Sequence, residues 1–353
     1  MHDSKKLDAR LHGHDERAAI LVVGPSWVGD MVMAQSLFIR LRERDPGCVI
    51  DVVAPGWSLP ILQRMPQVRR GIELKVAHGE FGLGKRRALG RELRDERYTQ
   101  AIVLPGSWKS ALVPYFAGVP RRTAYRGEMR YGLVNDVRKL DKNLLKTTVQ
   151  RFVALAEDGD VIVAPEVPSP RLRVDPDRGR ARAAALGLDL SRPAIGLMPG
   201  AEYGPAKQWP PEYYGALAKQ LAADGTQSWI FGSAKEAALG ERIREASGGA
   251  AINLCGKTEL VDLVDLSALC AAVVTNDSGP MHIAAASGTS VVAIYGSSTP
   301  DHTPPLTDRK HIHYLRLWCS PCFERTCPLK HYNCLRQISA ATVRESLRAL
   351  AQL

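Results

Sequence analysis

From residue 19 to residue 295 the chain alternates short, continuous apolar runs with longer stretches whose apolar residues recur at helical spacing. The runs Ala19–Gly24, Val49–Ala54, Ile72–Val76 and Ala101–Pro105 read as buried strands. Helices fall between them, including Met31–Arg44 and the basic Lys85–Arg97. A strand-then-helix alternation predicts α/β architecture, a parallel sheet covered on both faces. Near Val161 the pattern lapses into VIVAPEVPSPRLRV, whose prolines at 165, 168 and 170 suit a stiff extended connector. It then resumes with strands at Ala194–Met198, Gln227–Gly232, Ala251–Leu254, Ala272–Thr275 and Ser290–Tyr295. The expected organisation is a disordered polar tail at 1–17, an N-terminal domain at 18–160, a linker at 161–172 and a C-terminal domain at 173–353. A chain of 353 residues is long enough for two such cores. Two similar doubly wound halves make the cleft between them the natural binding site.

No apolar run approaches the roughly 20 residues needed to span a bilayer. The first seventeen residues lack the apolar stretch of a secretory signal, so a cytoplasmic protein is expected. Charge is distributed unevenly. Residues 1–155 hold 27 Lys and Arg against 16 Asp and Glu, whereas residues 156–353 hold 20 against 21. That surplus serves solubility, or it draws an anionic partner to the first half: nucleic acid, acidic lipid or a phosphorylated substrate.

Some motif matches fail on inspection. GEFGLGK has the spacing of a phosphate-binding loop, but Arg86 stands where a magnesium-holding Ser or Thr belongs. No GxGxxG follows the first strand. Three other stretches carry more. In SWVGDMVMAQ, Asp30 sits where a strand hands over to a helix, either as a dipole partner for the helix or as a base at the cleft. In TNDSGPMHIAAASG, a buried strand ends at Asp277-Ser278-Gly279, and Pro280 suits the first turn of the following helix. Free backbone N–H groups at that helix start suit a phosphate, and His282 lies one turn in. Capping by Ser278 or Asp277 would explain neither Gly279 nor His282. In MPGAEYGPAKQWP, Lys207 occupies a loop at a strand's carboxyl end, suited to neutralising a pyrophosphate as a point charge. IFGSAKE repeats the design and puts Glu236 where a ribose hydroxyl is held in dinucleotide folds.

Taken in order, SWVGDMVMAQ, PGAEYGPAKQWP and NDSGPMHIAAASG resemble the signatures of the ADP-heptose:lipopolysaccharide heptosyltransferases, glycosyltransferase family 9. The likeness runs from about Ala19 to the C-terminus, and the first two elements are most similar to the heptosyltransferase II branch. The resemblance implies a GT-B fold of two Rossmann-like domains, with acceptor on the N-terminal one and ADP-heptose on the C-terminal one. Asp30 then matches the family's catalytic base and Lys207 its phosphate-contacting lysine. Asp277, Ser278, Gly279 and His282 match its donor-binding turn, and Glu236 aligns approximately with its nucleotide-contacting acid. Some members carry basic residues in the opening motif where this chain has Ser26-Trp27.

The implied reaction moves L-glycero-D-manno-heptose from ADP-heptose to the first heptose of the lipopolysaccharide inner core, with inversion. Its acceptor would lie at the cytoplasmic face of the inner membrane. An inverting transfer needs a base on one side of the sugar carbon and charge stabilisation on the other, so no cofactor is required. The basic half then meets an acidic, phosphorylated acceptor rather than nucleic acid, and Arg126 and Arg130 in YRGEMRYG are the candidates for touching it. The alternatives are a family member acting on a different core acceptor, and a catalytically silent module that binds nucleotide sugars. A nucleotide-sugar 2-epimerase shares the fold but should bring an acid/base cluster not found here.

Cys319, Cys322, Cys327 and Cys334 follow C-x2-C-x4-C-x6-C, with His331 nearby. Cytoplasmic thiols at such spacing point to zinc before disulfides. The later spacings do not match the two-knuckle pattern of common structural sites, which leaves a structural zinc and reduced thiols shaping a loop as the alternatives. Cys48, Cys255 and Cys270 are expected to be small core residues.

Overall fold

Branched apolar residues build the centre of a first sheet: β1 (Ala19–Val23), β2 (Val49–Ala54) and β4 (Gln100–Val103), whose side chains are almost all buried. β3 (Val68–Glu73), β5 (Arg121–Tyr125) and β6 (Asp136–Arg138) complete it in the order β3-β2-β1-β4-β5-β6, every pair parallel. A second parallel sheet comprises β7 (Ala194–Met198), β8 (Gln227–Ile230), β9 (Ala251–Asn253), β10 (Ala272–Asn276), β11 (Ser290–Ile294) and β12 (Lys310–His313). Its order, β12-β11-β10-β7-β8-β9, is the same winding seen from the other edge. Each sheet therefore reverses direction once, between β1 and β4 and between β7 and β10. In open α/β sheets ligands bind outside the strands' carboxyl ends at such a switch point.

The computed structural model describes residues 18–77 and 80–351, so the tail expected at 1–17 lies outside the described residues. The first sheet is flanked by α1 (Val28–Arg44), α2 (Leu59–Leu62), α3 (Leu83–Glu92), α4 (Leu112–Phe116) and α5 (Thr148–Ala154). The second is flanked by α6 (Pro176–Ala185), α7 (Pro211–Ala223), α8 (Ala237–Ala246), α9 (Leu260–Ala268), α10 (Gly279–Ala286), α11 (Asn333–Arg336) and α12 (Ala340–Ala351). No helix among the described residues is long and apolar enough to cross a membrane.

The third strand lies four residues earlier than Ile72–Val76 suggests, at the sheet edge. Its Arg69 and Arg70 both bind Asp51, at 2.5 and 3.0 Å, and Asp51 is buried in the middle of β2. A buried carboxylate needs such partners, and the two arginines hide the strand from an apolar-run search. The same applies to β5 and β6, joined by the Arg121–Asp136 pair at 2.9 Å, and to the His-rich β12.

One hydrophobic core runs through both halves. Met31, Leu37 and Phe38 of α1 belong to the same buried cluster as Met281, Ile283 and Ala284 of α10. Polar contacts reinforce the seam: Arg64 Nη2 lies 2.6 Å from Asp265, and buried Gln35 both donates to the Arg171 carbonyl and accepts from its N–H. Cys48, Cys255 and Cys270 are buried in the cores.

Candidate active site

The two switch points face each other. After β1 the loop Gly24–Trp27 leads into α1, and Trp27 precedes the helix without a side-chain cap. After β10, Ser278 precedes α10, again without a side-chain cap. The helix starts touch through two glycines. A Cβ on Gly29 would lie 3.0 Å from His282 Cδ2 and 3.2 Å from Gly279 Cα, and one on Gly279 would lie 3.3 Å from the Gly29 nitrogen. Each position has glycine because the backbones meet there. This contact brings Asp30, in the first turn of α1, into one cavity with Lys207, Asp277, Ser278, Gly279 and His282.

Charge in this cavity is concentrated and poorly hydrated. Lys207 Nζ lies 2.5 Å from Asp277, whose other oxygen accepts from Thr303 at 3.3 Å. Burial pushes the Asp30 carboxyl up to about 6; the nearby Asp277 charge adds to that and Lys207 offsets part of it. Burial likewise pushes His282 down to about 4, keeping its imidazole neutral at pH 7. The Ser278 hydroxyl is buried and has no hydrogen-bond partner. A buried polar group normally has one, so Ser278 does not cap α10 and its Oγ is available to a ligand, together with the Gly279 N–H; Pro280 has no N–H, and that of Met281 donates to the Ser278 carbonyl at 3.1 Å.

Asn276 explains why two of the sequence motifs occur together. Its Oδ1 accepts the Trp209 N–H at 3.0 Å and its Nδ2 donates to the Pro199 carbonyl at 2.7 Å, tying the loop after β7 to the end of β10. Trp209 is buried and donates its indole N–H to Ile338. The loop carrying Lys207 is thereby held against the Asp277–Gly279 turn.

A second cavity shares Trp27, Glu202, Ser278 and Gly279 with the first and continues along the second sheet. Phe231, Leu260, Leu263 and Ile283 supply apolar walls, and Glu236 lies at its edge. Glu236 closes a capping box with Ser233, accepting its N–H at 2.7 Å, and a Cβ on Gly200 would sit 1.7 Å from Glu236 Oε1. An apolar slot beside a polar, cationic chamber suits a nucleoside followed by a diphosphate.

A third cavity lies on the first-sheet side of the Gly24–Trp27 loop, lined by Ser26, Trp57, Glu80, Arg86 and Lys109. Arg86 is buried, donates Nε to the Phe81 carbonyl, and has no carboxylate within ion-pair distance among the described residues. The arginines proposed for the acceptor lie elsewhere. Arg130 is buried, with Nη1 and Nη2 donating to the Pro105 and Tyr125 carbonyls and Nε left without a partner, so it braces a turn. Arg126 is exposed but lines none of the three cavities.

The four cysteines 319, 322, 327 and 334 are free thiols lining one small cavity with His331. Burial, with the other three thiols nearby, pushes Cys334 up to about 11. Among the described residues no group of three His, Cys, Asp or Glu side chains gathers closely enough to hold a metal ion. Tyr203, Thr303 and Arg325 also line the chamber with Asp30 and were not singled out from sequence. Thr303 and Arg325 lie outside all three motifs, and Arg325 is hidden inside the cysteine pattern.

Glycosyltransferase family 9 (heptosyltransferase) matches residues 86–333. Lipopolysaccharide heptosyltransferase 2 of Escherichia coli K12 is 49% identical over 302 residues, covering 83% of this chain and 87% of that protein. Lipooligosaccharide heptosyltransferase 2 of Haemophilus influenzae is 48% identical over 307 residues, with the same coverage. The structure of E. coli ADP-heptose lipopolysaccharide heptosyltransferase II superposes with a TM-score of 0.85 at 45% identity, over 95% of this chain and 98% of that one. With two parallel sheets of this winding and these relatives, the chain has the GT-B fold and belongs to glycosyltransferase family 9, the heptosyltransferases.

Proposed function

We propose that the protein transfers heptose from ADP-heptose to the first heptose of the lipopolysaccharide inner core, as a heptosyltransferase II. The N-terminal half takes the acceptor and the C-terminal half the donor. The observation that supports this best is the pairing of a buried, basic carboxylate with an uncapped helix start: Asp30, raised to about 6, faces the start of α10 and its unpartnered Ser278 hydroxyl. Asp30 takes the proton from the acceptor hydroxyl as that oxygen bonds to the anomeric carbon from the opposite face. The bond to the diphosphate breaks and its electron pair leaves with ADP. Lys207, the Ser278 hydroxyl and the Gly279 N–H meet that charge, so turnover should persist in EDTA. A base raised towards neutrality is stronger than an ordinary carboxylate yet still largely ionised at pH 7. Neutral His282 packs on Gly29 and holds the two helix starts in register.

The acceptor's anionic groups belong in the first-sheet cavity. Ser26 lines that cavity and the adjacent Trp27 lines the chamber of Asp30, so a branched acceptor spans both. Next to Glu80 and Lys109 of that lining, the rings of Phe81 and Trp108 pack tilted at 40° with centroids 4.9 Å apart, both about 40% exposed, near the exposed cations Lys85, Arg87 and Arg91 of α3. Aromatic and basic side chains together suit an anionic membrane surface, supporting a peripheral location at the cytoplasmic face of the inner membrane.

A turnover assay pairing ADP-heptose with defined truncated core acceptors tests the reading. Transfer to the acceptor ending in a single heptose supports it. Transfer only to another acceptor reassigns the enzyme within its family, and ADP binding without any transfer makes it a silent binding module.

A further inference from the structure

The cysteine-rich arm carries a cation into the donor chamber. Between Cys322 and Cys327 the backbone is fastened on both sides to the turn that holds Lys207. The Phe323 N–H donates to Ser297 at 2.7 Å, the Tyr203 hydroxyl donates to the Phe323 carbonyl, and the Ala206 N–H donates to the Arg325 carbonyl at 3.0 Å. Arg325 approaches so closely that a Cβ on Gly204 would lie 2.5 Å from its carbonyl oxygen. None of these contacts uses the Arg325 side chain.

That side chain lines the chamber of Asp30, Lys207 and Ser278, where two cations lie within cation–π distance of the Tyr203 ring. Lys207 Nζ is 5.1 Å from the ring centroid and Arg325 Cζ is 5.4 Å from it. Lys207 has Asp277 as its partner; Arg325 has no carboxylate within ion-pair distance among the described residues. Glu202, which also lines the chamber, is 3.9 Å from Lys235 instead. Two like charges sharing one aromatic ring repel each other, and an anion placed between them removes the repulsion. A guanidinium offers that anion a bidentate fork that a lysine lacks.

We propose that Arg325 is a second donor-side catalytic residue, contacting the sugar-bearing phosphate of the nucleoside diphosphate sugar opposite Lys207. The proposal rests on the donor reading given above. When the bond between the anomeric carbon and the phosphate oxygen breaks, its electron pair stays on that oxygen and the diphosphate gains one negative charge. Asp30 holds the proton from the acceptor. Arg325 therefore meets more charge in the transition state than in the bound donor, and its loss lowers kcat as well as affinity. The cysteine-rich segment thus acts as the scaffold that delivers this group.

Calorimetry with ADP and AMP on the full chain, alongside turnover, tests this. Arg325→Gln should weaken ADP roughly ten-fold, as expected for a partly exposed charged hydrogen bond, and leave AMP, which lacks the second phosphate, within about two-fold. Arg325→Lys should recover part of the ADP affinity, and thermal unfolding should be unchanged in both variants. Unchanged ADP affinity and turnover in Arg325→Gln would overturn the proposal. So would an increased acceptor KM with ADP affinity intact, which assigns the guanidinium to acceptor phosphates. Equal losses of ADP, AMP and thermal stability would reduce Arg325 to a structural role. A wild-type protein that binds no ADP would instead remove the donor reading, and this proposal with it.

Discussion

The two sheets wind identically, yet their switch points present opposite chemistry. At the first, α1 begins with a carboxylate, Asp30, in a half that carries a net surplus of eleven positive charges. At the second, α10 begins with the Gly279 N–H and an unpartnered Ser278 hydroxyl, beside Lys207, in a half with a net charge near zero. The basic half thus holds the candidate base, and the nearly neutral half holds the cationic seat. Net charge over a hundred and more residues governs how a charged partner approaches. The chemistry depends on which groups are desolvated within a few ångströms of the reacting atoms, and a helix N-terminus accommodates either role.

Replacing the carboxylate breaks the contrast most severely. Asp30→Asn should cut turnover roughly 10²–10⁴-fold with ADP affinity nearly unchanged in calorimetry. In the wild type, kcat/KM should fall as pH drops through about 6, where Asp30 gains its proton. The stability effect has the opposite sign. A carboxyl raised from 3.8 to about 6 disfavours the folded state above those values, so the wild type loses stability as pH rises through that window. Asp30→Asn should therefore be more stable than wild type by roughly 3 kcal/mol at pH 7–8, with the difference vanishing below about pH 4. A pH-independent difference in denaturation midpoints would contradict the raised carboxyl.

The register between the helix starts is the next target. Gly29→Ala places a Cβ 3.0 Å from His282 and 3.2 Å from Gly279 Cα, pushing Asp30 away from the donor turn. Turnover should fall about 10²-fold, the scale of a 1 Å misplacement, with a smaller effect on ADP affinity. Near-normal kcat would mean that the halves need not meet at this distance. On the donor side alone, Lys207→Ala should weaken ADP about ten-fold and lower kcat, since a point charge on a diphosphate acts before and during transfer. Unchanged ADP affinity would return Lys207 to its role as the partner of Asp277.

The smallest effect concerns approach. Raising salt from 0.1 to 1 M shortens the Debye length from about 10 to about 3 Å, so the acceptor's KM should rise more than the donor's. Neutralising Arg86 and Lys109 together should flatten that response. Arg130→Gln should instead lower stability without changing the salt dependence, because its guanidinium is spent on backbone carbonyls. Equal salt responses for both substrates would leave the charge asymmetry to solubility.

Local sequence carried the strand-helix alternation, the proline-rich connector and the three loops at the switch points, because each is written in contiguous residues. Runs such as Ala19–Val23 and Ala272–Asn276 are apolar because both faces of a central strand are covered, and that pattern survives without knowledge of any partner. Edge strands were not legible in the same way: β3 is held by Arg69 and Arg70 on buried Asp51, whose pairing depends on the neighbouring strand. Charge alone points to Arg126 and Arg130, and charge does not distinguish a guanidinium that faces a ligand from one folded onto carbonyls. Arg86 looked like a flaw in a phosphate loop and proved to be a buried cation lining a cavity.

Two parallel-sheet halves, with Asp30, Lys207 and the Asp277–His282 turn at their strand ends, are thus readable along the chain. That these residues share one chamber, that Gly29 and Gly279 meet, and that Arg325 from the cysteine-rich arm joins them comes from the folded arrangement. The difference is one of range. Strand and helix patterns, and the turns between them, arise from neighbours along the chain, whereas desolvation and charge pairing depend on groups that folding gathers from 70 to 300 residues apart.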